Sequence, residues 1–166
     1  MKPIGERTIA AGFAGIALMV QGCPSAYQRT YNQDLQALEA QQRQQQTQEE
    51  AAHAQAQKYA AVIYFPVGSA AIDQDGQQQL NWFVQQMRPY PQAIIQVQGF
   101  ADSTGAETAN LGLSMQRATN VANYLAAQGI APSRIVAQGF GTQYPAASNE
   151  TGQGRRNNRR VEVTVR

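Results

Sequence analysis

Cysteine and histidine occur once each in this 166-residue chain, and charged residues make up only 14% of it. A single cysteine excludes an internal disulfide. His53 has no Cys or other His near it, so the sequence offers no metal-ligand cluster and implies no cofactor. With 13 basic and 11 acidic residues, the chain lacks the concentrated positive charge that engages nucleic acid or an anionic membrane surface. Arg155, Arg156, Arg159 and Arg160 do lie close together. No aromatic platform interleaves them, and that removes the usual stacking partner of a nucleobase. Long hydrophobic runs are missing too: the apolar stretch at residues 8–20 is too short to span a bilayer comfortably. Against these absences stands an ordinary hydrophobic fraction of 43%, enough for one small globular domain.

Lys2 and Arg7 precede the apolar stretch, which is the pattern of an export signal. At its end, Val20-Gln21-Gly22-Cys23 resembles a bacterial lipobox, with small Gly22 before the cleavage point. The resemblance implies removal of residues 1–22 and acylation of Cys23, including a palmitate-type chain. By the sorting rule of lipoproteins, Pro24 in place of Asp implies transfer to the outer membrane. Loss of Lys2, Glu6 and Arg7 would bring the net charge closer to neutral.

Residues 23–59 then read as an anchor and a tether. From residue 27 to 59 the chain is dominated by Gln and Ala and has no Gly or Pro, so helix is the natural local state. Its apolar residues at helical spacing are Tyr27, Tyr31, Leu35 and Leu38, after which the stripe fades into Ala. Without sustained heptads a solvated tether is favoured over an oligomerising coiled coil. Such a segment spans roughly 50 Å as helix and at most about 110 Å when extended.

A domain is expected over residues 60–166. Ala61-Val62-Ile63-Tyr64-Phe65 reads as an entering strand stopped by Pro66 and Gly68. Asp73 or Gln74 opens a helix with Leu80, Phe83, Val84 and Met87 on one face, ended by Pro91, with Trp82 off that face at the rim. A second strand, Ile94-Ile95-Gln96-Val97-Gln98, leads into a turn and a helix over residues 107–128, which stops at Gly129 and Pro132. Arg134-Ile135-Val136-Ala137-Gln138 makes a third strand. A long loop over residues 139–158 with at most a short helix follows, and Val161, Val163 and Val165 alternate with polar residues in the last strand. This β-α-β-α-β-β order predicts an α/β sandwich: a mixed sheet of about four strands with both main helices on one face.

Three blocks carry a family resemblance. They are Gly99-Phe100-Ala101-Asp102-Ser103-Thr104-Gly105, the run Asn110-Leu111-Gly112-Leu113-Ser114-Met115-Gln116-Arg117-Ala118, and Asn158-Arg159-Arg160-Val161-Glu162. Their order and the spacing from Asp102 to Arg117 resemble the OmpA-like peptidoglycan-binding domain of outer-membrane proteins and peptidoglycan-associated lipoproteins. The resemblance implies that Asp102 and Arg117 contact meso-diaminopimelate of the peptidoglycan stem peptide. It also implies that Arg159 or Arg160 supports the ligand loop or the fold, with Arg160 the nearer to the pocket. Asn110, seven residues before Arg117 and on nearly the same helical face, could bind peptide backbone or hold Arg117 in place. Spacing alone leaves another arrangement open, in which Asp102 and Arg117 pair with each other. The partners so implied are peptidoglycan, outer-membrane lipid through Cys23 and other envelope proteins, with an envelope adaptor as the alternative function. A peptidoglycan hydrolase is disfavoured, because Asp73, Asp75, Glu107 and Glu162 form no recognisable catalytic pair.

Overall fold

A computed structural model describes residues 25–166. The chain divides into two units, Met1–Gln42 and Arg43–Arg166. Helix α1, Ala26–Ala56, contributes residues to both. In the first unit Tyr27, Tyr31, Leu35 and Leu38 are all exposed. No helix among the described residues is long and apolar enough to cross a membrane.

The second unit is built from strands β1 (Ala60–Tyr64), β2 (Ile95–Gly99), β3 (Ile135–Gly139) and β4 (Arg160–Val165) and helices α2 (Gln74–Met87), α3 (Glu107–Ala127) and α4 (Gly152–Asn158). The sheet order is β1-β4-β2-β3. β4 runs antiparallel to both β1 and β2, while β2 and β3 are parallel. The mixed four-stranded sheet expected from the element order is therefore present.

Helices α2 and α4 each start at a side-chain cap. The Asp73 side chain accepts the Gly76 N–H at 2.8 Å and caps α2. The stripe Leu80, Phe83, Val84 and Met87 is buried as its spacing requires. Burial of each such side chain contributes roughly 1.5–3 kcal/mol. α4 is capped in the same way, by Thr151 accepting from Gly154 N at 2.9 Å. On the sheet, Ile63, Ile95, Val97, Val161 and Val163 are buried and close the core against α2 and α3. The alternate residues Gln96, Gln98, Glu162 and Thr164 are half-buried on the opposite face. The core also takes in Ala56 from α1, fully buried, with Tyr59 packed against it, so the domain's packing reaches back before residue 60.

Where α3 crosses the sheet, two glycines set its height. Gly99 and Gly139 are partners in the β2 and β3 register. A Cβ on Gly99 would lie 2.1 Å from the Ser114 carbonyl oxygen, and one on Gly139 would lie 2.5 Å from the Met115 nitrogen. Only residues without a side chain let the helix backbone rest here. Ser114 completes the contact by accepting the Gly141 N–H at 2.9 Å. α3 is thereby fixed over the ends of β2 and β3, with Asn110 one turn before the crossing and Arg117 about one turn after it.

Candidate functional site

β4 lies between β1 and β2, so the residues that enter it meet the turns leaving both neighbours. Phe65 N donates to Arg159 O at 2.9 Å, and Phe100 N donates to Arg160 O at 2.8 Å. The turn after β2 then closes on Asp102. Its Oδ1 accepts the Thr104 N–H at 2.9 Å, the local bond typical of Asp in a turn, and its Oδ2 accepts from Nη1 of Arg159 at 2.7 Å. Gly105, at φ +91°, permits the reversal into α3. From the helix, Asn110 Nδ2 donates back to Thr104 O at 3.0 Å. From the far loop, Asn149 accepts the Ser103 N–H at 3.1 Å and is itself held by Asn158.

Arg117 is buried with no solvent exposure, and each of its nitrogens donates to a backbone carbonyl. Nε reaches Ser69 O at 2.8 Å, Nη1 reaches Phe100 O at 3.1 Å and Nη2 reaches Pro66 O at 3.0 Å. The guanidinium carbon also lies 5.2 Å from the Phe65 ring centroid. Arg117 therefore ties the loop after β1 to the turn after β2. Asn120, one turn further along α3, donates to Ala70 O at 2.8 Å and holds the same loop.

Electrostatics follows from this packing. Burial alone would raise the pKa of Asp102, but hydrogen bonds from Arg159 and Thr104 together outweigh it and hold the carboxyl below its ordinary value. For Arg117, burial, assisted by the Arg159 charge and opposed by Asp102, pulls the guanidinium down to about 10. It remains cationic at neutral pH. Ion pairs join Arg159 to Asp102 and Arg160 to Glu162. Arg117 thus stands as a buried cation opposite carbonyl dipoles, with no carboxylate of its own among the described residues.

Asp102, Asn110 and Arg117 are brought together around the turns after β1 and β2, although Asp102 and Arg117 do not pair with each other. The two arginines at the start of β4, Arg159 just before it and Arg160 its first residue, are placed in reverse of the expectation. Arg159 holds Asp102 and donates through Nε to Phe65 O at 3.0 Å. Arg160 points to the other side of the sheet, where its guanidinium stacks 4.0 Å from the Phe100 centroid. The physical reason is strand alternation: successive side chains leave opposite faces. Arg159 shares the parity of Val161, Val163 and Val165, and Arg160 shares that of Glu162 and Thr164. The signal was in the sequence. Asn149, which braces the turn from the long loop, carried none, and Asn158 at the end of α4 stood in a resemblance block with no role attached to it. Cys23 lies outside the described residues. No group of three or more His, Cys, Asp or Glu side chains positioned to hold a metal occurs among the described residues.

A cavity of about 870 Å³ lies elsewhere, lined in part by Glu49, His53, Tyr90 and Pro91 near the start of β2. Asp102 follows the opposite end of that strand.

Comparison with known proteins agrees with this geometry. The probable lipoprotein YiaD of Escherichia coli is 41% identical over 103 residues, covering 62% of this chain and 47% of that protein. The peptidoglycan-binding protein ArfA of Mycobacterium tuberculosis is 44% identical over 86 residues, covering 52% of this chain and 26% of that protein. This chain therefore spans about half the length of the first relative and about a quarter of the second. Among solved structures, the peptidoglycan-associated lipoprotein of Burkholderia pseudomallei superposes with a TM-score of 0.61 at 27% identity, covering 63% of this chain and 89% of that one. Residues 64–159, which include Asp102, Asn110, Arg117 and Arg159, match the OmpA family, and the chain belongs to it.

Proposed function

We propose that this protein binds peptidoglycan non-covalently and, anchored by lipid at Cys23, ties the outer membrane to the cell wall. The observation that carries this reading is Arg117: a buried guanidinium without a carboxylate partner among the described residues, beside an Asp whose own partner is Arg159. Buried charge is costly unless it is paired, so the cluster is suited to a ligand that brings a carboxylate. The relatives named as binding peptidoglycan support the same choice.

Meso-diaminopimelate ends in a carbon bearing both an ammonium and a carboxylate. Asp102 accepts hydrogen bonds from the ammonium, having lone pairs beyond those taken by Thr104 and Arg159. Arg117 receives the carboxylate. A guanidinium has five N–H donors, and one on each terminal nitrogen is left after the bonds to Ser69, Phe100 and Pro66. Access requires the loop that covers Arg117 to yield. That loop carries Val67, which is exposed, and Gly68 at φ +67° with open space around it. Arg159 keeps Asp102 ionised and oriented throughout.

Charge-assisted hydrogen bonds contribute about 1.5–3 kcal/mol each, so one site binds in the micromolar range by order of magnitude. Tethering then comes from effective concentration. The anchor holds the domain beside a polymer that repeats its ligand. Sedimentation of the purified full chain with isolated sacculi tests the reading. Saturable retention, released by soluble diaminopimelate-containing muropeptides, is the expected result. Retention that these muropeptides do not compete for would overturn it.

A further inference from the structure

Arg160 opens a second question, because it faces away from Asp102. On the side of the sheet opposite α2 and α3, it forms a cleft of about 380 Å³ with Gln98, Phe100, Phe140, Tyr144 and Glu162. The Phe100 and Phe140 rings stack at 5.5 Å with planes 15° apart, and Tyr144 meets Phe140 edge-on at 5.8 Å. Part of this cleft is structural, since Arg160 Nη2 donates to Tyr144 O at 3.3 Å, but two features go beyond that. Arg160 is only 6% exposed and bonds Glu162 through Nε at 2.6 Å, yet its Nη1 is buried without a hydrogen-bond partner among the described residues. Tyr144 is held at φ 55°, a left-handed backbone that a bulky residue adopts at a cost, while it is 68% exposed. Strain that displays an aromatic side chain beside an unsatisfied donor marks a ligand site.

We infer that this cleft is a carbohydrate subsite taking one N-acetylated sugar ring of a neutral glycan strand. The inference rests on the wall-binding reading and adds the sugar to the peptide already assigned. Charge selects the class of ligand: Glu162 already offsets Arg160, so a phosphate or other full anion would meet a nearby carboxylate at 2.6 Å from the cation. A purely apolar side chain would cover the rings and leave Nη1 unsatisfied. An N-acetylhexosamine meets each need. Its C–H face packs on Phe140 and Tyr144, its hydroxyls donate to Glu162 and bond the Gln98 amide, and its acetamide oxygen accepts from Nη1 once its entry shifts the side chains that cover that nitrogen.

The test is titration of the purified full chain with the β-linked tetramer of N-acetylglucosamine, and with the glucose tetramer that lacks the acetamide, followed by NMR. Saturable shifts at Phe140, Tyr144 and Arg160 are expected, several-fold weaker for the glucose tetramer. Tyr144→Gly should weaken binding about three- to tenfold, the loss of one aromatic contact, without lowering the melting temperature, because glycine accepts the left-handed backbone. A purely structural tyrosine would show the reverse. Arg160→Gln should abolish the preference for the acetylated sugar. Asp102→Asn should leave sugar affinity unchanged while weakening muropeptide binding. Absence of saturable shifts, or equal sugar affinity in Tyr144→Gly, would overturn the inference. Sugar binding by a protein that does not bind the diaminopimelate stem peptide freed of its sugars would instead sink the peptide reading and leave this one standing.

Discussion

Arginine does several jobs in this molecule, and its planar fork is common to most of them. Arg117 and Arg159 grip backbone carbonyls around the site, and Arg134 does the same for Tyr90 O and Ala93 O at 2.8 and 2.9 Å. Lysine cannot reproduce such a fork. Arg117→Lys should therefore keep the charge yet lose most discrimination between diaminopimelate- and lysine-type muropeptides, on the order of 2–3 kcal/mol or about thirty- to a hundredfold. Lysine-type peptide keeps the ammonium but has no second carboxylate for the guanidinium. Titration of the variant with both muropeptides, alongside circular dichroism to show a folded chain, checks this; an unchanged preference would return Arg117 to a purely structural role. Asp102 gives a pH signature. Its folded pKa lies below the unfolded value, so the unfolded chain binds the extra proton and stability rises with pH across that interval. The contribution should be complete above the ordinary carboxylate value of about 3.9 and fade as pH falls through the lower folded value. Denaturant melts of wild type and Asp102→Asn from neutral to strongly acid pH should converge at the acid end. At this scale the family resemblance of the motif blocks singled out Asp102 and Arg117, where spacing alone left their roles open. The sequence also held the separation of Arg159 from Arg160, had the valine alternation of β4 been extended two residues back.

At the scale of elements, legibility followed local physics. α2 was readable from its Asp73 cap and apolar stripe, and α3 from residue 107 to its Gly129 stop, because those signals act within one or two turns. The expected strands stand within a residue of the observed ones. Strand order was a different matter, since alternation says which face is buried and nothing about which neighbour pairs. The height of α3 over the sheet was equally hidden, because Gly99 and Gly139 show their purpose only when the helix backbone is seen upon them. Gly99→Ala would push a methyl into the Ser114 carbonyl at 2.1 Å, a contact with backbone that no rotamer relieves. A loss of about 3 kcal/mol is expected, lowering the melting temperature by roughly 10–20 °C in a domain of this size. Since Asn110 and Arg117 ride on α3, muropeptide affinity should fall as well. Calorimetry and titration of the same variant would show both effects; a fully stable Gly99→Ala would mean the helix has room to lift.

For the whole molecule, composition bounded the chain to one small domain after a Gln- and Ala-rich helical segment, and element order set its α/β class. Neither marked where the segment stops. Ala56 is fully buried in the domain core, so the last turn of α1 serves packing, while residues 27–50 are exposed. Ala56→Asp should therefore destabilise the domain, whereas removing about two turns between Gln41 and Glu50 should not. The shortened protein should bind muropeptides as before and lose wall association in cells if reach matters; equal association at every length would argue against a spacer. Cys23→Ser should abolish acylation and release the protein from the outer membrane, which intact mass and fractionation would decide.

β4 is the last strand in chain order but sits second in the sheet, between β1 and β2. Until residues 160–165 arrive, β1 has no partner, β2 shows an open edge, and Asp102 lacks its clamp, because Arg159 enters with that strand. Under the proposed function, a chain exported amino-terminus first would be anchored before it could bind: the portion that emerges first lacks the completed site. Competence is conferred in one late, long-range step, and the contacts it closes span nearly a hundred residues between Arg159 and Phe65. Closure over that separation is slow relative to helix formation, so the proposed binding site is complete only once the whole domain has folded.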